Sequence, residues 1–171
     1  MNRFVTNLSP IISAQDQCDK HLRKMITEEG QMLSVVIRTL MPDTYGESET
    51  LMRLGLNHDK HPADLWLLDS YMNFQWAMSH WLAMGTEYRY RFDKTHGTEH
   101  RLADVFAEFC EPERYKLWAR VEHTPHPQCF GAWTRKTKED WPVTAYRSYM
   151  RDYKQHQMEM KWTRRHKPSW F

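Results

Sequence analysis

QCDKHLRKMITEEGQMLSVVIRTLM, residues 17–41, decides the fold. At 100° per residue, Leu22, Met25, Ile26, Met32, Leu33, Val36 and Leu40 share one broad apolar arc, the pattern of a helix with one face in a core. Glu29 falls in the middle of that arc. An unpaired carboxylate there is costly, so Glu29 needs a partner or a raised pKa. Beside the arc, His21, Lys24, Glu28 and Gln31 follow at spacings of 3, 4 and 3 and form a narrow polar stripe. The plain reading of the stripe is a solvated face with a Lys24–Glu28 pair at i, i+4, worth about 0.2–0.5 kcal/mol. The alternative is a pocket wall, because perturbed carboxyl groups cluster at functional sites.

Outward from this segment the chain continues to read as helices. Ser9–Pro10 is an N-cap followed by the residue best tolerated at the first helical position, so a short helix precedes the main one. Pro42 closes the main helix, and PDTYGESET is expected to be a polar loop. Pro62 opens HPADLWLLDSYMNFQWAMSHWLAMGTEYRYRF, which reads as one long central helix or as two joined near Ser70. TEHRLADVFAEFC reads as a further helix capped by Thr98. Residues 111–141 contain three prolines and are expected to form turns and loops. Pro142 opens the last helix, WPVTAYRSYMRDYKQHQMEMKW. TRRHKPSWF follows as an extended tail, since the residue before Pro168 is pushed out of the helical region. The expected architecture is all-α: one compact helical bundle over residues 1–171, with residues 160–171 as a basic and aromatic tail.

The 171 residues are enough for one domain with a real core, and only 6 are glycine. Cys18, Cys110 and Cys129 are odd in number and widely spaced. They suit a reducing compartment better than a disulfide framework. The start, MNRFVTNLSP, lacks the apolar core of a signal peptide, and no run is apolar enough to span a bilayer. A soluble cytoplasmic protein with no membrane partner is expected. The formal charge is +2, but residues 131–171 hold ten Lys/Arg against four Asp/Glu. That asymmetry fits either a solvated tail or a contact surface for a polyanion. HDKHP (His58, His61) and HTPHPQC (His123, His126, Cys129) are incomplete as metal-ligand sets, so no metal and no cofactor are expected. There is no phosphate-cradling glycine loop, dinucleotide fingerprint or nucleophile elbow.

Asp19, Lys20, His21, Leu22, Lys24, Glu28, Gln31 and Leu33 carry a resemblance. The pattern Asp-x-His-Leu, with Glu six residues after the Leu, resembles the catalytic helix of phage pyrimidine-dimer DNA glycosylases of the endonuclease V type and of related phage and bacterial proteins. HPADLWL, EYRYRF and KPSWF are similar to further segments of that group. The resemblance covers about 15 residues closely and others loosely, and it implies an all-α, monomeric protein of a bacterial or phage-infected cell whose partner is DNA. It also implies cleavage of the N-glycosidic bond at damaged or modified bases, with abasic-site lyase activity. In that chemistry the chain's N-terminal amine attacks the sugar C1′ and a carboxylate assists proton transfer.

Carried over, Glu28 takes the carboxylate's role and His21 that of a nearby histidine facing DNA. Met1 takes the place of the N-terminal amine, a departure from the phage enzymes, which expose a small residue after their initiator methionine is removed, whereas Asn2 here leaves Met1 in place. Lys24 and Lys20 remain alternative amines. Asp19, Glu29, Gln31 and His61 are expected to line the pocket. Lys161, Trp162, Arg164, Arg165, Lys167 and Trp170 are expected to hold nucleic acid through phosphate contacts and base stacking. Two other functions use the same residues: a base-modifying or modified-nucleotide-processing enzyme with this pocket, and a non-catalytic DNA-binding or host-inhibitor protein.

Overall fold

The computed structural model describes residues 2–53, 60–130 and 142–171. Among these the protein is all-α: α1 (Pro10–Gln15), α2 (Asp19–Leu40), α3 (Pro42–Tyr45), α4 (Pro62–Asp69), α5 (Tyr71–Phe92), α6 (Gly97–Phe109) and α7 (Val143–Asp152), with two short 3-10 turns. No described helix is long and apolar enough to cross a membrane.

α2 buries Leu22, Met25, Ile26, Met32, Leu33, Val36 and Ile37, while Leu40 packs at the margin of the same core. α5 is its central partner, burying Phe74, Ala77, Met78, Trp81 and Met84. α2 lies against α5 and α4, and α1 against α5. α6 comes so close to α2 that a Cβ at Gly30 would meet Thr98 Cγ2 at 2.8 Å and Leu102 Cδ1 at 2.9 Å. Gly30 is what permits that approach.

The break between α4 and α5 falls at Ser70, which is extended (φ −150°, ψ 143°). The N–H groups of Tyr71 and Met72, left without partners at the start of α5, donate to the carbonyls of Arg120 and Val121. The loop after α6 therefore completes the helix start chemically. α5 ends at Asp93, in the left-handed region at φ 52°.

Three local expectations change. Residues 42–45 form a helical turn rather than loop. The cap of α6 is His96, whose Nδ1 accepts from the Thr98 N–H at 3.2 Å, and Thr98 itself lies inside the helix. α7 stops at Asp152, well short of Trp162. Its buried side is carried by Ala145, Tyr146, Tyr149 and Met150, and beyond Tyr153 the chain QHQMEMKW offers no further buried helical face.

Candidate active site

The first residues of the chain form a buried, irregular strap along α2, with Arg3, Phe4, Val5 and Thr6 all buried. It runs against the direction of α2. The backbone N–H of Asn2 donates to Glu28 Oε2 at 2.9 Å, and the Phe4 ring packs on His21 at 4.7 Å between centroids. Successive residues of an extended chain point to opposite sides. Arg3 accordingly reaches the other carboxylate, with Nε donating to Glu29 Oε1 at 2.8 Å and to Oε2 at 3.0 Å.

Asn2 is fixed from three directions. Its Nδ2 donates to the Cys129 carbonyl at 2.6 Å, and its Oδ1 lies 3.0 Å from the Tyr146 hydroxyl. Its N–H is held by Glu28 on α2. Burial pushes the Tyr146 phenol far up, so it stays protonated and able to donate.

Glu28 keeps a narrow opening to solvent. Its Oε1 lies 3.1 Å from Lys24 Nζ, and the Lys24 side chain is 69% exposed. Two nitrogens thus flank one carboxylate, one on each oxygen. Gln31, the next residue of the stripe, is half-buried. His21 is buried, and burial lowers its pKa to about 4, with the charges of Lys154 and Lys24 acting in the same direction. It is a neutral ring at pH 7. Met1 lies outside the described residues.

Glu29 is not an open pocket wall. It is 1% exposed. Burial alone would raise its pKa, but the Arg3 guanidinium and His80, whose Nδ1 lies 3.8 Å from Oε1, outweigh that and hold the carboxyl below its usual range. The carboxylate on the apolar arc has the partner it required, and the partner is a residue for which no role was expected. The Arg3 guanidinium also lies 4.9 Å from the Trp66 ring centre. Periodicity within one helix cannot reveal such a cation 26 residues away. The available signal was the need itself: an arc carboxylate demands a buried cation, and Arg3 is followed by apolar Phe4 and Val5.

Asp19 faces another way. Its Oδ1 accepts from Arg91 Nη1 at 3.0 Å and its Oδ2 from the Thr163 hydroxyl at 2.6 Å. Burial tends to raise this carboxyl, but the bonds from Thr163 and Arg91 prevail and lower it. Asp19 anchors the C-terminal tail and does not join Glu28. His61 caps α4, its Nδ1 accepting from the Ala63 N–H at 3.2 Å.

The tail is irregular, as expected, and is docked. Trp162 Nε1 donates to the Asp16 carbonyl and Trp170 Nε1 to Asp16 Oδ2, both at 2.9 Å. Both indoles are half-buried, an arrangement that opposes base stacking by these rings. Arg164 pairs with Asp93 at 2.5 Å and Arg165 with Glu87 at 2.8 Å. Lys161 and Lys167 remain exposed, with Lys167 Nζ 4.6 Å from the Phe171 ring centre.

Among the described residues no group of three or more His, Cys, Asp or Glu is placed to hold a metal. His58 lies outside them. His126 is buried in aromatic packing, 4.1 Å from Trp66 and 4.3 Å from Trp76 between ring centres. Compared with family models, with curated proteins and with solved structures, the chain matches none.

Proposed function

We propose that this protein cleaves N-glycosidic bonds in damaged or modified DNA through an amine–carboxylate pair, with Glu28 as the carboxylate. One observation carries the reading: the backbone N–H of Asn2, the residue joined to Met1, donates to Glu28 Oε2 at 2.9 Å. The motif around Asp19–Glu28 suggested a glutamate working with an amine at the chain start, from residues that say nothing about where that start would lie. The contact between Asn2 and Glu28 supports that pairing.

The chemistry follows from the geometry. Met1 carries the amine and is joined directly to the Asn2 nitrogen that contacts the carboxylate. The neutral amine attacks the sugar C1′, the C1′–N bond breaks, and its electron pair leaves with the base, which takes a proton. Loss of the ring oxygen bond then gives a protonated imine. Glu28 accepts and returns protons in these steps and stabilises positive charge at the sugar. Lys24 Nζ, at 3.1 Å from Glu28, is the competing amine. Reaching the glycosidic bond requires the nucleotide to be distorted or flipped from the stack.

The test uses duplexes carrying a pyrimidine dimer or an abasic site, with borohydride added during the reaction. Reduction of an imine leaves a stable protein–DNA adduct. The expected result is an adduct with the unaltered protein and at least about a 100-fold slower reaction with Glu28→Gln, the usual scale for a lost proton-transfer group. Undiminished activity of Glu28→Gln contradicts the reading. A mass change in the DNA without a freed base points to base modification instead.

A further inference from the structure

We propose that the groove between the first turn of α2 and the docked tail binds the phosphate backbone of DNA, through Lys20, Arg23 and Lys161. The choice of DNA rests on the function proposed above, whereas the groove is argued from its own residues.

The groove has a volume of about 240 Å³ and is lined by Asp19, Lys20, Arg23, Glu159, Lys161 and Thr163. Its three cations come from two separate segments and all are exposed. None of the three takes part in a side-chain ion pair among the described residues. Arg23 rests its guanidinium over the Phe92 ring, 4.4 Å from the centre. Such stacking engages the face of the guanidinium and leaves its edge donors available. Of the two carboxylates, Asp19 is already paired with Arg91 and bonded by Thr163. Glu159 alone opposes the cations from the rim.

The contrast with Arg164 and Arg165 makes the choice. Those side chains face Asp93 and Glu87, so phosphate would have to displace a carboxylate to reach them. At Lys20, Arg23 and Lys161 a phosphate displaces only water and counterions, the release that drives nucleic-acid binding. The groove also points to the reaction site. Lys20, Lys24 and Glu28 follow at i, i+4 and i+8 on one side of α2, and Lys20 and Glu28 are separated by about 12 Å along the helix at 1.5 Å per residue. That is about three to four nucleotide steps at 3.4 Å each. A strand seated in the groove is thereby aligned toward Glu28.

The test measures duplex binding by fluorescence anisotropy across a salt series, with Glu28→Gln in every protein so that no chemistry intervenes. The parent protein should bind. Replacing Lys20, Arg23 and Lys161 together by Ala should reduce the slope of log K against log salt by about 2.7, at about 0.9 per phosphate contact. Arg164→Gln with Arg165→Gln should leave the slope unchanged, and Glu159→Gln should tighten binding a few-fold. A slope that survives the triple substitution, or one lost in the Arg164/Arg165 pair instead, overturns the inference. So does a parent protein that fails to bind. If the triple variant melts early, Lys161→Glu alone carries the test: weaker binding supports the groove and unchanged binding overturns it. Binding that needs the three cations, without any borohydride adduct in the unaltered protein, keeps the groove and removes the lyase reading. An adduct with binding indifferent to them does the reverse.

Discussion

The two ends of this chain both lie against α2 without regular structure, yet they do opposite things with charge. The N-terminal strap sends Arg3 inward to Glu29 and leaves the Asn2 nitrogen beside a carboxylate that retains some access to solvent. The C-terminal tail pairs its two arginines with carboxylates of the body and anchors its indoles on Asp16. A basic, aromatic segment is thus in large part a structural clasp, while a nearly uncharged one makes the contacts to both glutamates of α2. Charge composition locates a contact surface only after internal pairing is subtracted.

The sharpest way to break this comparison is to exchange the fates of the adjacent glutamates. Glu29→Gln leaves the Arg3 charge buried without its counter-charge, and such losses cost about 3–5 kcal/mol. Denaturant titration should show that loss. Glu28→Gln keeps an acceptor for the Asn2 N–H and gives up only a pair with the exposed Lys24, so it should cost less than about 1 kcal/mol while removing the reaction. Comparable stability losses in the two variants would erase the distinction between structural and reactive carboxylate.

A pH series sharpens the strap side. His21 has a folded pKa of about 4, below its ordinary value of 6.5. The unfolded chain therefore binds the proton more readily, and the stability contributed by neutral His21 is complete above pH 6.5. It falls as pH drops toward 4, by about 3 kcal/mol in all at 1.36 kcal/mol per pH unit. Buried His126, also shifted well below 6.5, acts in the same direction. Unfolding free energies measured between pH 7 and 4.5 should show the decline, and His21→Phe should flatten it. An identical slope in that variant would assign the decline elsewhere.

Gly30→Ala tests the scaffold beneath both ends. The new methyl group would press on Thr98 and Leu102, and overpacking of this kind costs about 1–3 kcal/mol. A thermal melt reads it directly. At the small end, Arg164→Gln removes a surface pair with Asp93 and should leave the melting temperature unchanged within error, because exposed pairs contribute little. A large shift there would mean that the clasp depends on Arg164 far more than on the buried Arg91–Asp19 pair.

Much of the fold was legible because it is written locally. Ser9–Pro10, Pro42, Pro62 and Pro142 mark helix boundaries, and the arc of α2 predicts its buried face. The end of α7 was harder, since QHQMEMKW is compatible with helix until one asks what it would bury. The candidate site divides in the same way. Glu28, Lys24 and His21 belong to one helix and could be grouped from spacing and motif. Asn2, Arg3 and Tyr146 could not, because each meets the site through contacts 26 to 144 residues apart in sequence. Glu29 was visible as a problem but not as a solution. The composition of the tail cannot show that Asp93 and Glu87 lie opposite its arginines.

The most direct measurement is to locate the reduced adduct. The protein is trapped with borohydride on an abasic-site duplex, digested, and the modified peptide identified by mass spectrometry, alongside the intact mass that defines the first residue. The sugar remnant should sit on the α-amine of Met1, and Lys24→Arg should be trapped as efficiently as the parent. An adduct on Lys24 would move the nucleophile to the other side of the same carboxylate. DNA that binds but is never trapped would contradict the amine–carboxylate site itself.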